Sequence, residues 1–422
     1  MRYDAIFRDI AGSVLHDYAG FDEKKAHHDS LWFSAACQTA QRKGQLNDQV
    51  FFQLTGQYLA TMQDRNLQLR LGDQAACRAD SRGFHARSYQ GRLYVTHAQQ
   101  ETRLHPGDQL ITLNGTPPSL YRKRQKKNTL GSDVEEREIW GPVLKMSGRC
   151  LVKHTDGTDE NLTLRSYPYS DKLPRLGGRL IGKNTLYLDL PHFTDPEAVE
   201  KLLASKEKSL ARCSRLILDL RRNIGGTETA FIPLLRYVFR EPLLLRDIYD
   251  DKGLYTNYTE NNCRRKSQML EHFLPRADRQ SEKLVRTMMA ELKEKSGQGM
   301  LWEPDEELAA DTATVGGYGN FEKIIILSDT WCEYAGETFI SLCKKSPLVT
   351  VIGRPTMGNI DYCNPVSVLY DNRFTFTYPM SKTKAAMEGK GVSGKGVSVD
   401  IHVPWTPAEC EEDILLKQAL KL

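Results

Sequence analysis

Apolar positions in the first part of the chain repeat with the period of a helix. Tyr3, Ile6, Phe7, Ile10, Val14, Leu15 and Tyr18 fall at i, i+3, i+4 and i+7 spacing and make one stripe, and Phe51, Leu54, Tyr58, Leu59 and Met62 make a second. Residues 1–69 therefore read as a helical unit. Over 70–166 the period shortens, and Gly, Asp and Asn interrupt it, which predicts short strands. Two stretches carry this pattern, GFHARSYQGRLYVTHA (83–98) and LHPGDQLITLNGTPP (104–118). In the second, a strand over Leu110, Ile111 and Leu113 opens at Pro106-Gly107-Asp108 and closes at the turn Asn114-Gly115. From 167 onward the pattern is α/β. TLYLDL (185–190), RLILDL (215–220), KIIILSD (323–329) and LVTVIG (348–353) are almost wholly apolar, as strands buried on both faces should be, with helical stretches at 197–210 and 334–345. The run 323–353 reads as a β-α-β unit with parallel strands. A charged stretch at about 250–312, with a helix-like piece at 280–295, reads as an insertion over this core.

Composition narrows the class. Of 422 residues, 58 are Lys or Arg and 54 are Asp or Glu, a formal charge of +4 that points to neither nucleic acid nor a membrane surface. With 40% hydrophobic and 27% charged residues, the chain has the mix of a soluble globular protein. No apolar run approaches the ~20 residues of a membrane-spanning helix. Asp4, Arg8, Asp9 and Asp17 stand where a signal peptide would be apolar, so a cytoplasmic location is expected. The nine cysteines are scattered singly, with no C-x-x-C pair and no Cys–His cluster at ligand spacing, which predicts reduced thiols and neither metal nor cofactor. The basic run Arg122-Lys123-Arg124-Gln125-Lys126-Lys127 reads as a solvated face.

Candidate chemistry lies at two strand ends. LDLRRNIGGTET (218–229) leads from a buried strand into Asn223, Gly225 and Gly226, where glycine lets the backbone turn and point N–H groups at an oxyanion. After KIIILSD, the stretch Thr330–Tyr334 leads into a helix start, and a side chain there meets the positive end of the dipole, which suits a nucleophile or a bound anion.

The strand-turn over 106–115 resembles that of a PDZ domain, a fold that takes up a peptide as an added strand and holds its terminal carboxylate. With it, MQDRNLQL (62–69), LDLRRNIGG (218–226), WCEYAGETF (331–339), VIGRPTMGN (351–359) and GKGVSVDI (394–401) form an ordered set. That set resembles the tail-specific (C-terminal processing) serine proteases, including their tricorn-type branch. The resemblance implies an α/β core of the ClpP/crotonase kind at 167–422, an inserted PDZ-like β domain at 70–166 and an N-terminal helical unit at 1–69. It also implies serine-type peptidase activity.

At the catalytic positions the chain departs from that family. The nucleophilic serine falls on Tyr334, within Tyr334-Ala335-Gly336-Glu337. The His base of the tricorn-type branch falls on Asn66, the Lys base of the bacterial branch on Asn359, and the supporting Glu, by a looser alignment, on Ser393. Gly225, Gly226 and Ala335 are the oxyanion-hole candidates. Acyl transfer needs a nucleophile whose proton a positioned base can take. A phenol with a pKa of about 10 and an amide without a basic lone pair do not supply that pair. The expectation is a catalytically inactive pseudoprotease that binds peptides or protein C-termini, or a small apolar ligand in the vestigial cleft. It would use no cofactor, no metal, no nucleic acid and no membrane, and a homo-oligomer is left open. The alternative is an active serine-type endopeptidase, or one that depends on Cys332 with His192 or His402 as its base.

Overall fold

The unbroken apolar runs become strands with a core on each face. In the computed structural model, which describes residues 2–72, 81–125, 134–168, 172–250 and 253–422, six strands form one sheet. They are β1 (Gly177–Ile181), β2 (Thr185–Asp189), β3 (Arg215–Asp219), β4 (Lys323–Ser328), β5 (Val349–Gly353) and β6 (Ile401–His402), in the spatial order β6-β5-β4-β3-β2-β1. From β2 to β6 all pairings are parallel, with Leu186 opposite Leu216 and Ile324 opposite both Leu216 and Val349; only the edge strand β1 is antiparallel. Alternation sends Leu216, Leu218, Ile324, Ile326 and Val351 into one core with Leu202, Phe231 and Phe339. These three come from the helices Pro196–Ser205, Glu228–Leu235 and Ala335–Cys343. Ile217, Ile325, Leu327 and Ile352 face the other way, with Leu415 and Leu416 of the helix Ile414–Lys421.

Between residues 84 and 163 a five-stranded antiparallel sheet has the order Phe84–Tyr89, Arg92–Ala98, Gln109–Leu113, Arg149–Lys153, Asp159–Thr163, around Leu93, Val95, Leu110, Leu113, Trp140 and Val152. Asn114 (φ +50°) and Gly115 (φ +78°) make the tight turn, which Leu113 and Thr116 close with reciprocal 2.9 Å bonds. Two successive positive φ values are the reason for Asn-Gly. Arg122 of the basic run bonds inward, to Glu135 (3.0 Å) and Glu138 (2.6 Å), whereas Lys126 and Lys127 lie outside the described residues.

The chain folds as two compact units. One comprises Met1–Arg78, Asp251–Ala309 and Asp361–Gly391; the other comprises Ala79–Asp250, Ala310–Ile360 and Val392–Leu422 and holds both sheets above. In the first unit the stripes of Tyr3–His16 and Asp48–Ala60 bury Ile6, Ile10, Phe51 and Tyr58 in one core with Phe374, Phe376 and Tyr378 of the hairpin Tyr362–Tyr370/Phe374–Thr383. Here the structure differs from the sequence expectation in two ways. The helical unit is completed by a sheet, because Gln68–Leu71 pairs with Phe374–Thr383. The stretch expected as an insertion over the α/β core supplies Gly253–Tyr258 and Gly299–Pro304 to that same sheet, together with the helices Glu260–Phe273 and Arg279–Lys295. Among the described residues, no helix is long and apolar enough to cross a membrane.

Candidate functional site

The turn after β4 begins at Asp329, which is anchored before anything reactive appears. Its carboxylate receives both terminal nitrogens of Arg87 (2.8 and 2.5 Å) and one of Arg354 (2.6 Å), and Arg354 also bonds Glu409. Burial opposes charge on Asp329, but the two guanidiniums outweigh it and hold the carboxyl well below the ordinary range. From this anchor the chain reaches Tyr334, immediately before the helix Ala335–Cys343. Tyr334 has φ +47° and ψ −117°, a backbone state that L-residues rarely adopt, and the residue is 41% exposed. The sharp strand-to-helix turn is therefore retained with tyrosine at its apex.

The Asn223–Gly226 loop packs beneath that apex. A Cβ on Gly225 would stand 2.7 Å from the Tyr334 Cβ, and the Glu333 N–H donates to the Asn223 carbonyl (2.8 Å). Asn223 is fully buried. Its amide nitrogen donates to the Leu190 carbonyl (2.7 Å), and its Oδ1 accepts the Gly225 N–H (2.9 Å). This corrects one sequence candidate, since the Gly225 N–H is used inside the loop and is not offered to an oxyanion. Gly226 is held by close approach: a Cβ there would lie 2.1 Å from the Phe193 carbonyl carbon and oxygen. Among the described residues no acceptor is bonded to the N–H of Gly226 or of Ala335. The Ala335 N–H is one of the donors a helix start leaves unpaired.

Glu337, completely buried, organises the remainder. Its carboxylate accepts from the N–H of Tyr334 (3.2 Å), Asn359 (2.8 Å) and Gly358 (2.5 Å) and from the Thr356 hydroxyl (2.6 Å). Burial pushes its carboxyl up, and these four donors oppose the rise. Asn359 is buried too, and its side-chain amide donates to the Glu333 carboxylate (3.1 Å). Ser393 lies in the turn that packs on this loop: the Val397 N–H donates to Thr356 Oγ1 (2.7 Å), and a Cβ on Gly358 would meet the Val392 carbonyl at 2.5 Å. Arg137, from the antiparallel module, donates to the carbonyls of Pro355 (3.3 Å), Thr356 (2.8 Å) and Met357 (2.9 Å). Sequence analysis missed that residue, because nothing local links positions more than two hundred apart.

Tyr334, Ala335, Gly226, Asn359 and Cys332 thus come together in one unit. Cys332 is fully buried, and burial followed by Glu337 pushes its thiol well above the ordinary range. His192 bonds the Pro174 carbonyl and Thr194, and His402 bonds Glu136 (2.8 Å). Another imidazole, that of His85, lies against the Trp331 ring with centroids 6.5 Å apart, and burial lowers its pKa. Asn66 belongs to the other unit. There its N–H donates to Asp64 (2.9 Å) and its amide to the Tyr362 carbonyl (2.9 Å).

A mixed α/β core with a strained strand-to-helix turn defines the class, and comparison with known proteins agrees. The model of Peptidase family S41 matches residues 184–403, over half the chain, so this protein belongs to that family of tail-specific proteases. Among solved structures, mature CPAF complexed with lactacystin superposes with a TM-score of 0.67 at 14% identity, over 99% of this chain and 97% of that one. Mature CPAF superposes at 0.65 and 14%, over 99% and 95%. The photosystem II D1 C-terminal processing protease gives 0.44 at 15%, over 96% and 93%.

Proposed function

We propose that this member of the family binds peptides or protein C-termini and does not hydrolyse them. The observation that carries the proposal is Tyr334 at the apex of the strained turn, in the place where the family motif has serine, with the Asn359 amide bonded to Glu333. A phenol reaches further from the backbone than a hydroxymethyl group and gives up its proton only near pH 10, so the attack geometry and the acid–base match are both lost. Asn66 in place of the His base and Ser393 in place of the supporting Glu point the same way. The N–H groups of Gly226 and Ala335 remain suited to a peptide carbonyl or a terminal carboxylate. We take the module at 84–163 as PDZ-like, receiving peptide along its edge strand Phe84–Tyr89. The Cys332 alternative is disfavoured because a buried, high-pKa thiol is not nucleophilic. The eight described cysteines are free thiols, which agrees with a cytoplasmic protein.

The test is mass-spectrometric. Wild-type protein and Tyr334→Phe are each incubated for a day with casein and a peptide library, and the thermal stability of each is recorded with the same peptides. The proposal requires no new termini from either protein and a rise in melting temperature with a subset of peptides. New termini from the wild type alone would make Tyr334 catalytic and overturn it. New termini from both that disappear in Cys332→Ala would establish the thiol alternative, and no thermal shift with any peptide would remove the binding role.

A further inference from the structure

Away from this site, the Pro106-Gly107-Asp108 turn brings two imidazoles to one buried carboxylate. Asp108 Oδ2 lies 3.0 Å from His154 Nδ1 and 3.9 Å from His105 Nδ1, and the ligand atoms of the three residues all fall within 4.8 Å of one another. Asp108 is 1% exposed and is fixed in orientation by two backbone donors, the N–H of His105 to Oδ2 (2.8 Å) and the N–H of Thr155 to Oδ1 (3.1 Å). His154 is fixed as well, because its Nε2 lies 3.2 Å from Glu160 Oε2. A carboxylate on the far nitrogen is the arrangement that sets the tautomer and aim of a metal-ligating histidine, and here it leaves Nδ1 directed at Asp108. Gly107 (φ +96°) holds the turn close to the strand end, where a Cβ would be 3.1 Å from Thr155 Cγ2.

We propose that His105, Asp108 and His154 bind one divalent transition-metal cation, Zn²⁺ foremost, with water as the fourth ligand. Two imidazole nitrogens and one carboxylate oxygen suit tetrahedral zinc and are poor ligands for Ca²⁺ or Mg²⁺. Bonds of about 2.0–2.2 Å to a tetrahedral ion set neighbouring ligand atoms roughly 3.3 Å apart. The present 3.0 and 3.9 Å bracket that spacing. The adjustment falls on His105, whose side chain is 69% exposed and able to swing. The ion would clip the loop before the strand Gln109–Leu113 to the turn after Arg149–Lys153, joining two segments of the antiparallel module 46 residues apart in sequence. The competing arrangement is an imidazolium of His154 paired between Asp108 and Glu160 with no ion.

The full-length protein, stripped with a chelator and passed through a desalting column, is titrated with Co²⁺ and then with Zn²⁺ near pH 7.5. Visible Co²⁺ bands, competition with a chromophoric chelator and the melting temperature are the three readouts. The proposal requires one equivalent bound, a rise in melting temperature with Zn²⁺, and at least a tenfold loss of affinity in His105→Ala and in His154→Ala. Glu160→Ala should weaken binding roughly 10- to 100-fold without changing the stoichiometry. His105 is exposed, so its variant folds and its result stands alone. Absence of stoichiometric binding, or wild-type affinity in His105→Ala, overturns the proposal and leaves the ion pair.

Discussion

Replacing Tyr334 by glycine should leave a more stable protein than replacing it by alanine, the reverse of the usual order. Alanine normally exceeds glycine by about 0.5–1 kcal/mol, because glycine has more unfolded-state freedom to lose. At φ +47° and ψ −117°, however, any Cβ is strained, at a cost on the order of 1–3 kcal/mol. The Tyr334 Cβ also stands directly over Gly225, where even a hypothetical Cβ would be only 2.7 Å away, so the turn cannot relax by moving toward the loop. Both variants lose the same ring, and the comparison therefore isolates the backbone. Setting the strain against the usual preference leaves glycine ahead by about 1 kcal/mol, or about 1 °C in melting temperature for a chain this long. Urea unfolding followed by tryptophan fluorescence, with melting curves beside it, measures the difference. Alanine equal to or above glycine would mean that the tyrosine ring itself imposes the turn, and that the surrounding framework does not hold it.

Three further outcomes follow from the same geometry. Asp329→Ala removes the carboxylate that the buried Arg87 guanidinium holds and one of the two that Arg354 holds, and should destabilise by about 3–5 kcal/mol in denaturant titrations; a loss below about 1 kcal/mol would refute the anchoring role. Gly226→Ala forces a Cβ to 2.1 Å from the Phe193 backbone and should cost more than the 1–3 kcal/mol of ordinary overpacking, visible as a lower melting temperature or loss of soluble protein. Asp64, buried against the Tyr18 hydroxyl, has its carboxyl pushed up to about 6 by burial, against 3.8 when unfolded. The folded chain then holds the proton more tightly. This group's stabilisation is full below about pH 4 and is lost as pH rises through about 6, by about 3 kcal/mol in all. Asp64→Asn should flatten that part of the stability–pH curve, and an unchanged slope would place the titration elsewhere.

What could be read from the sequence was whatever local pattern determines. The runs at 185–190, 215–220, 323–329 and 348–353 are almost wholly apolar because both faces of each strand are covered, and that burial is what marks them in sequence. Asn114-Gly115 announces its turn because two positive φ values exclude most other residues. By contrast, Gly253–Tyr258 and Gly299–Pro304 are short, half-exposed strands set among highly charged helices, and one partner, Phe374–Thr383, lies more than a hundred residues further on. The charge of the stretch around them suggests an insertion, whereas their pairing makes them part of a sheet. In the site the motif located the turn, but it did not reveal that Asn223 takes the Gly225 N–H or that Cys332 is sealed beneath the turn. Those facts depend on which atoms meet, and spacing alone does not record that.

The atoms that hold the turn are not the atoms that would perform hydrolysis. Asn223 secures the glycine loop, Glu337 gathers four donors from Tyr334, Thr356, Gly358 and Asn359, and Arg137 ties the carbonyls of 355–357 to the antiparallel module. None of these bonds uses the side chain of residue 334, and the bond from residue 359 to Glu337 comes from its backbone N–H. A serine, a tyrosine or an alanine at 334 is therefore held in the same bend, and a lysine or an asparagine at 359 can close the same loop. On the reading proposed above, a change of nucleophile and base leaves the N–H groups of Gly226 and Ala335 where they are, because the turn is held by backbone N–H groups and the buried Glu337 carboxylate. The proposed binding without cleavage therefore asks for no change in the turn, and Tyr334→Ser would require no repair of it.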